Sequence, residues 1–159
     1  ARAMCEGLEM AYNADHARKD PPHLEELSIW GCGIGDGGAV ALANAFAIGC
    51  GEKLQTIILD ENDIGAAGAT ALGAGLPSCP FLRELSLPKN PLGKGFKTLL
   101  AGLGPSLKVL DAAEANLDDE AAIATSKSIT RWPMLRSLRL AGNAMTVLGI
   151  EALVRSMLL

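Results

Sequence analysis

Gly33-Ile34-Gly35-Asp36-Gly37-Gly38 has the G-x-G-x-x-G spacing with which a turn between strand and helix lays backbone amides against a pyrophosphate. Two further stretches invite a chemical reading. Gly93-Lys94-Gly95-Phe96-Lys97-Thr98 opens like a phosphate loop, but no glycine stands five positions ahead of a Gly-Lys-Thr/Ser ending. Asp118-Asp119-Glu120 gathers three acids that could surround a cation or, at the start of a helix, simply meet its positive end. The cysteines Cys5, Cys32, Cys50 and Cys79 form no C-x-x-C pair and have no histidine at ligand spacing, which argues against zinc. His16 and His23 are the only histidines, and no paired carboxylates with an evident pocket accompany them. The expectation is a protein with no catalytic residue, no metal and no cofactor.

The elements that would have to position these residues explain most of them without any ligand. From Leu54, the residues Leu54, Ile57, Leu59, Asn62 and Ile64 follow L-x-x-L-x-L-x-x-N-x-L, and an Ala/Gly-rich helical run completes the unit. The same order starts at Leu24 with Leu27, Ile29, Cys32 and Ile34, and at Leu82 with Leu85, Leu87, Asn90 and Leu92. It returns at Leu107 with Leu110, Ala112, Ala115 and Leu117, and at Leu135 with Leu138, Leu140, Asn143 and Met145. In this register Gly35 aligns with Gly65 and Gly93, and Gly38 with Gly68, so a shared turn accounts for the dinucleotide-like spacing. The unit at Leu107 is irregular. Asn116 stands one residue late, which implies either a local shift in the turn or a polar position satisfied by something else.

The organisation read from this register is an N-terminal helix over residues 1–23, a partial repeat or cap ended by Asp20-Pro21-Pro22, followed by five repeats over 24–159 that start at 24, 54, 82, 107 and 135. Apolar residues in the helical runs, among them Leu42, Phe46, Leu72, Leu76, Ile123, Leu153 and Met157, are expected to face the strands. Ala41, Ala71, Ala124 and Ala152 are expected to let neighbouring helices approach. Each repeat buries too little alone, so stacking must build one continuous core. Asn62, Asn90 and Asn143, with Cys32 in the same place, are expected to form a ladder that satisfies backbone groups where strand turns toward helix. Cys50 and Cys79 stand ahead of successive first leucines and are read as reduced thiols.

The chain has 159 residues, 49% of them hydrophobic and 20% charged, enough for one domain with a core. A net charge of -4 argues against a general affinity for nucleic acid. Ala-rich runs such as 39–48 fall short of the roughly 20 apolar residues a transmembrane helix needs. Nothing in the sequence states a compartment.

Cys32-Gly33-Ile34-Gly35-Asp36-Gly37-Gly38-Ala39-Val40-Ala41-Leu42-Ala43 resembles the I-G-x-x-G-A-x-A-L-A pattern of leucine-rich repeats of the ribonuclease-inhibitor-like class. The resemblance covers about Leu24 to Leu159. It implies an α/β leucine-rich repeat solenoid, a horseshoe with parallel strands on the concave face and helices on the convex face. It also implies function as a non-enzymatic protein–protein interaction scaffold, either a fragment of a larger receptor or regulator or a small subunit of an assembly. The alternatives are a GTPase-regulating protein resembling the Ran GTPase activator, or a permanent structural subunit of a large complex.

By register, the concave positions that would meet a partner are Glu26, Trp30, Ile58, Asp60, Glu61, Glu84, Lys89, Asp111, Glu114 and Arg139. Six acids against two bases suggest an acidic strip with Arg139 at its far end and a protein partner of basic or mixed charge. Trp30 and Ile58 are its large apolar groups, although Trp30 could instead pack under the N-terminal segment.

Overall fold

The computed structural model describes residues 24–158. The helix expected over 1–23, with Cys5, His16 and His23, and also Leu159 lie outside the described residues.

Five three-residue strands, β1 (Glu26–Ser28), β2 (Thr56–Ile58), β3 (Glu84–Ser86), β4 (Val109–Asp111) and β5 (Ser137–Arg139), form one parallel sheet in sequence order. Between and after them run the helices α1 (Gly35–Ala45), α2 (Ala66–Gly75), α3 (Phe96–Gly102), α4 (Asp119–Ile129) and α5 (Val147–Met157). Every strand-to-strand connection thus carries a helix, as parallel neighbours require. The fold is an α/β leucine-rich repeat solenoid.

The register follows from one apolar row. Leu27, Ile57, Leu85, Leu110 and Leu138 pair in sequence along the sheet. The three inner members have no exposed surface, whereas Leu27 and Leu138 are half-buried because a described neighbour covers them on one side only. Slipping any strand by one residue would turn this row to solvent, so burial fixes the pairing. On the helical side Leu42, Phe46, Leu72, Leu76, Phe96 and Leu99 close the layer.

Two helical residues depart from the expected packing. Ile123 and Met157 are 38% and 60% exposed, and α4 instead turns Ala121, Ala122, Thr125 and Ser128 inward. The space is filled by Trp132, 2% exposed, whose indole N–H donates to the Leu103 carbonyl at 3.3 Å. The close approaches between helices also differ from expectation. Ala41 and Ala71 are only half-buried, while a Cβ on Gly75 would lie 2.7 Å from the Ala43 backbone and a Cβ on Gly68 would lie 3.0 Å from the Ala39 Cβ. Glycine is needed at these two positions because anything larger would push the helices apart.

The irregular fourth unit shows no shift. β4 pairs in register on both sides, and Ala112 and Ala115 are fully buried in the places of leucine and asparagine. Asn116 has φ +54°, matching Asp63 at +56° and Gly33 at +59° one residue after the ladder position. It is the left-handed residue of the turn, a conformation asparagine tolerates better than most.

Candidate functional site

The outer side of the sheet carries two rows set by the pairing: Glu26, Thr56, Glu84, Val109 and Ser137, then Ser28, Ile58, Ser86, Asp111 and Arg139. Beyond the strand ends lie Trp30 and Asp60, and then Glu61, Lys89 and Glu114, each with positive φ near +50°. The left-handed turn carries these three side chains to the rim beside the sheet.

Behind that rim runs the polar ladder that holds it. Asn90 Oδ1 accepts the N–H groups of Asn62 at 3.0 Å and Ile64 at 2.9 Å, while its amide donates to the carbonyls of Leu59 at 2.8 Å and Leu87 at 3.0 Å. Asn143 repeats this with the N–H groups of Ala115 and Leu117 and the carbonyls of Ala112 and Leu140. Asn62 accepts from Cys32 and Ile34 and donates to Ile29 and Asp60. Each side chain therefore ties its own repeat to the one before it. Cys32 behaves differently: it is exposed, and its thiol reaches only the Trp30 carbonyl at 3.4 Å. A thiol has a single weak donor, where an amide has two donors and an acceptor.

A second set of inter-repeat bonds, which the sequence reading missed, caps the helices. Asp36 Oδ1 of α1 accepts the N–H groups of Gly65 at 2.7 Å and Gly68 at 2.8 Å, and so caps the following helix α2. Asp119 of α4 does the same for α5, accepting from the N–H groups of Thr146 at 2.7 Å and Gly149 at 3.1 Å and from the Thr146 hydroxyl at 2.6 Å. The Thr146 hydroxyl bond, with help from those amides, lowers the Asp119 pKa below the usual carboxylate range. Asp118 caps its own helix through the Ala121 N–H at 3.1 Å. The acid run at 118–120 is thus occupied with helix starts, and no group of three or more metal-ligating side chains lies among the described residues. The shared signal is an acid at the helix start, but only stacking shows which helix it serves.

Two of the acids on the concave face are paired with bases. Lys89 Nζ holds Glu61 at 2.6 Å, and Arg139 holds Asp111 at 3.3 Å. The Glu61 hydrogen bond raises the Lys89 pKa. Trp30 is 64% exposed and Ile58 half-buried, so the tryptophan stands open at one end of the face. At the centre, Asp60 Oδ1 is out of contact with solvent and has no hydrogen-bond partner. Burial raises the pKa of this carboxyl, the neighbouring Ser86 hydroxyl works against that rise, and Asp111 and then Glu61 add repulsion.

Among the thiols, Cys50 is half-buried and Cys79 buried, both free; burial pushes Cys79 up to about 12 and raises Cys50, which keeps both protonated and unreactive at neutral pH. No helix among the described residues is long and apolar enough to cross a membrane.

A leucine-rich repeat family model matches residues 20–43, 52–73 and 133–154. The chain is 36% identical over 135 residues, 82% of its length, to NACHT, LRR and PYD domains-containing protein 5 of Bos taurus, and covers 12% of that protein. Ribonuclease inhibitor of Sus scrofa is 30% identical over 138 residues, 84% of this chain and 30% of the inhibitor. Protein NLRC5 of Mus musculus is 32% identical over 91 residues, 57% of this chain and 5% of that protein. The chain thus spans less than a third of the length of each of these relatives.

Proposed function

The chain is a leucine-rich repeat protein of the ribonuclease-inhibitor-like class, and on that premise we propose that it is a non-enzymatic scaffold whose concave face takes up a protein partner bearing basic side chains. Its repeats and relatives support an interaction scaffold. Asp60 carries the finer reading. An arginine or lysine entering the concave face would meet the Asp60 carboxylate and offset the repulsion that Asp111 and Glu61 exert on it. The same face carries Glu26, Glu84 and Glu114, while exposed Trp30 and half-buried Ile58 offer apolar anchors. The scaffold works as part of a larger receptor or regulator, or as a small subunit of an assembly.

Copurification from a native extract, followed by binding kinetics with the recovered protein, tests this. Reversing Glu61 and Glu84 to lysine is expected to slow association and flatten its salt dependence, because steering charges act over about 8 to 10 Å at physiological ionic strength. Asp60→Asn is expected to weaken binding by about tenfold or more through faster dissociation. Unchanged kinetics in both variants, with melting temperatures showing they remain folded, would move the binding site off the concave face. Acceleration of GTP hydrolysis in trans by the wild-type chain would replace this reading with the GTPase-regulating one.

A further inference from the structure

The residues just ahead of the strands, Glu25, Gln55, Arg83, Lys108 and Arg136, form one more row, at the rim where the strands begin. Main-chain bonds hold it in line: from Gln55 onward, each N–H donates to the carbonyl of the member before it at 2.7 to 2.8 Å. The first three members are also joined through their side chains. Gln55 Nε2 donates to the Glu25 carboxylate at 2.9 Å, and Arg83 Nη1 donates to Gln55 Oε1 at 2.7 Å. Beyond Arg83 the row continues with two further bases. Among the described residues, neither Lys108 nor Arg136 has a side-chain hydrogen bond or an ion pair.

The other rows of the concave face treat charge differently. There, charged neighbours from adjacent repeats have opposite signs: Glu61 and Lys89, Lys89 and Glu114, Asp111 and Arg139. Opposite charges facing each other across strands add stability and like charges remove it, so three bases in consecutive repeats bring the fold no gain. Arg83 has a described repeat on each side and is exposed, as Arg136 is, with Lys108 half-buried between them. The rim is therefore open along its length.

Two residues ahead of Arg83, exposed Phe81 forms one wall of a shallow pocket of about 440 Å³ lined also by Phe46, Glu52, Lys53, Pro77 and Pro80. Lys53 Nζ stands 5.7 Å from the centre of the Phe81 ring and adds a fourth base to the rim. From Arg83 to Arg136 is two ladder steps, about 10 Å, the reach of three to four extended residues. Alternate side chains of such a segment point the same way about 6.7 Å apart, a spacing that flexible lysine and arginine stems can meet. A phosphate backbone following the row past Arg83 would run toward Glu25, with Glu84 beside it, on a chain of net charge -4, which disfavours a nucleic acid.

We propose that this rim is a second docking surface, for an extended acidic protein segment. Its carboxylates pair with Arg83, Lys108 and Arg136, and one apolar side chain enters the pocket beside Phe81. The inference does not rest on the concave-face reading, which uses the acids and a basic partner.

Fluorescence polarisation with a labelled octapeptide, one leucine followed by alternating glutamate and serine, tests it on the purified chain. Binding with a Kd of hundreds of micromolar is expected, weakened about threefold or more as salt rises from about 50 to 300 mM. Lys108→Glu/Arg136→Glu is expected to weaken binding about fivefold or more, and Phe81→Ser about threefold, with unchanged circular dichroism spectra. Lys94→Glu/Lys97→Glu makes the same change in net charge away from the rim and is expected to keep the affinity within about twofold. No binding by about 1 mM overturns the proposal, as do equal losses from the two reversed pairs, which would mean net charge alone. An unchanged affinity in Phe81→Ser, or binding that survives glutamine in place of every glutamate of the peptide, also overturns it. Tighter binding of a ten-nucleotide oligothymidylate than of the peptide overturns it in favour of nucleic acid. Glu61→Lys/Glu84→Lys, expected to slow a basic partner, is expected to hold the acidic peptide at least as well, so this inference and the concave-face reading fail separately.

Discussion

The junction between β2 and β3 and the junction between β3 and β4 share one strand register but are closed in different ways. At the first, Asn90 satisfies the N–H groups of Asn62 and Ile64 and the Leu59 carbonyl across the repeat boundary. At the second, Ala115 offers only its backbone. The Gly93 N–H reaches the Ala115 carbonyl at 3.3 Å, the Leu92 N–H turns back to the Asn90 carbonyl at 2.7 Å, and the Asn90 N–H finds no acceptor among the described residues. The sheet continues unaltered through both. The apolar row alone therefore sets the strand pairing, and the asparagine adds local stability to a register already chosen.

The largest expected effect lies in what the two junctions share. Leu85 is fully buried between Ile57 and Leu110, and Leu85→Ala is expected to cost about 2 to 5 kcal/mol in chemical denaturation. A loss near 0.5 kcal/mol, the scale of a surface change, would mean the row does not set the register.

Next comes the residue that distinguishes them. Asn90→Ala makes the first junction resemble the second and is expected to cost about 1 to 3 kcal/mol, since it strands the N–H groups of Asn62 and Ile64 and takes a donor from the Leu59 and Leu87 carbonyls. Cys32→Ala, at the equivalent but exposed position, is expected to change stability by under about 0.5 kcal/mol. Equal losses from the two substitutions would refute a burial-dependent ladder.

The smallest effects concern two carboxylates with opposite pH dependence. The folded-state pKa of Asp119 is lowered by Thr146 and Gly149, so its contribution is present above the unfolded carboxylate pKa and fades as pH falls through the folded value. Asp119→Ala should lower the melting temperature at neutral pH, with the gap to wild type closing in acid. Asp60 runs the other way. Its folded pKa is raised, so ionisation opposes folding and stability is lost as pH rises through that value. Asp60→Asn should match or exceed the wild-type melting temperature at neutral pH and gain nothing in acid, as thermal melts across the carboxylate range would show.

On the concave face, places were legible in the sequence and relationships were not. Register assigned Ser28, Ile58, Ser86, Asp111 and Arg139 to one outward row, which is how the strands pair. It could not show that Lys89 folds onto Glu61 or Arg139 onto Asp111, since residues 28 positions apart meet only through the offset between repeats. Nor could it show that Asp60 loses solvent on one oxygen while Trp30 keeps it.

By itself the sequence determined the solenoid, the strand register and the spacing of Asn62, Asn90 and Asn143. Those rest on a period repeated along the chain, and many leucine-sized burials of about 1.5 to 3 kcal/mol each leave one register favoured over every slip. Only the tertiary structure decided which helix Asp36 and Asp119 cap, that Asn116 supplies a left-handed turn, and that Trp132 rather than Ile123 fills the core. Hydrogen bonds and close helix contacts are settled within a few tenths of an ångström by how one repeat sits on the next. Hydrophobic periodicity specifies which residues are buried, and leaves that fine placement to the packed molecule.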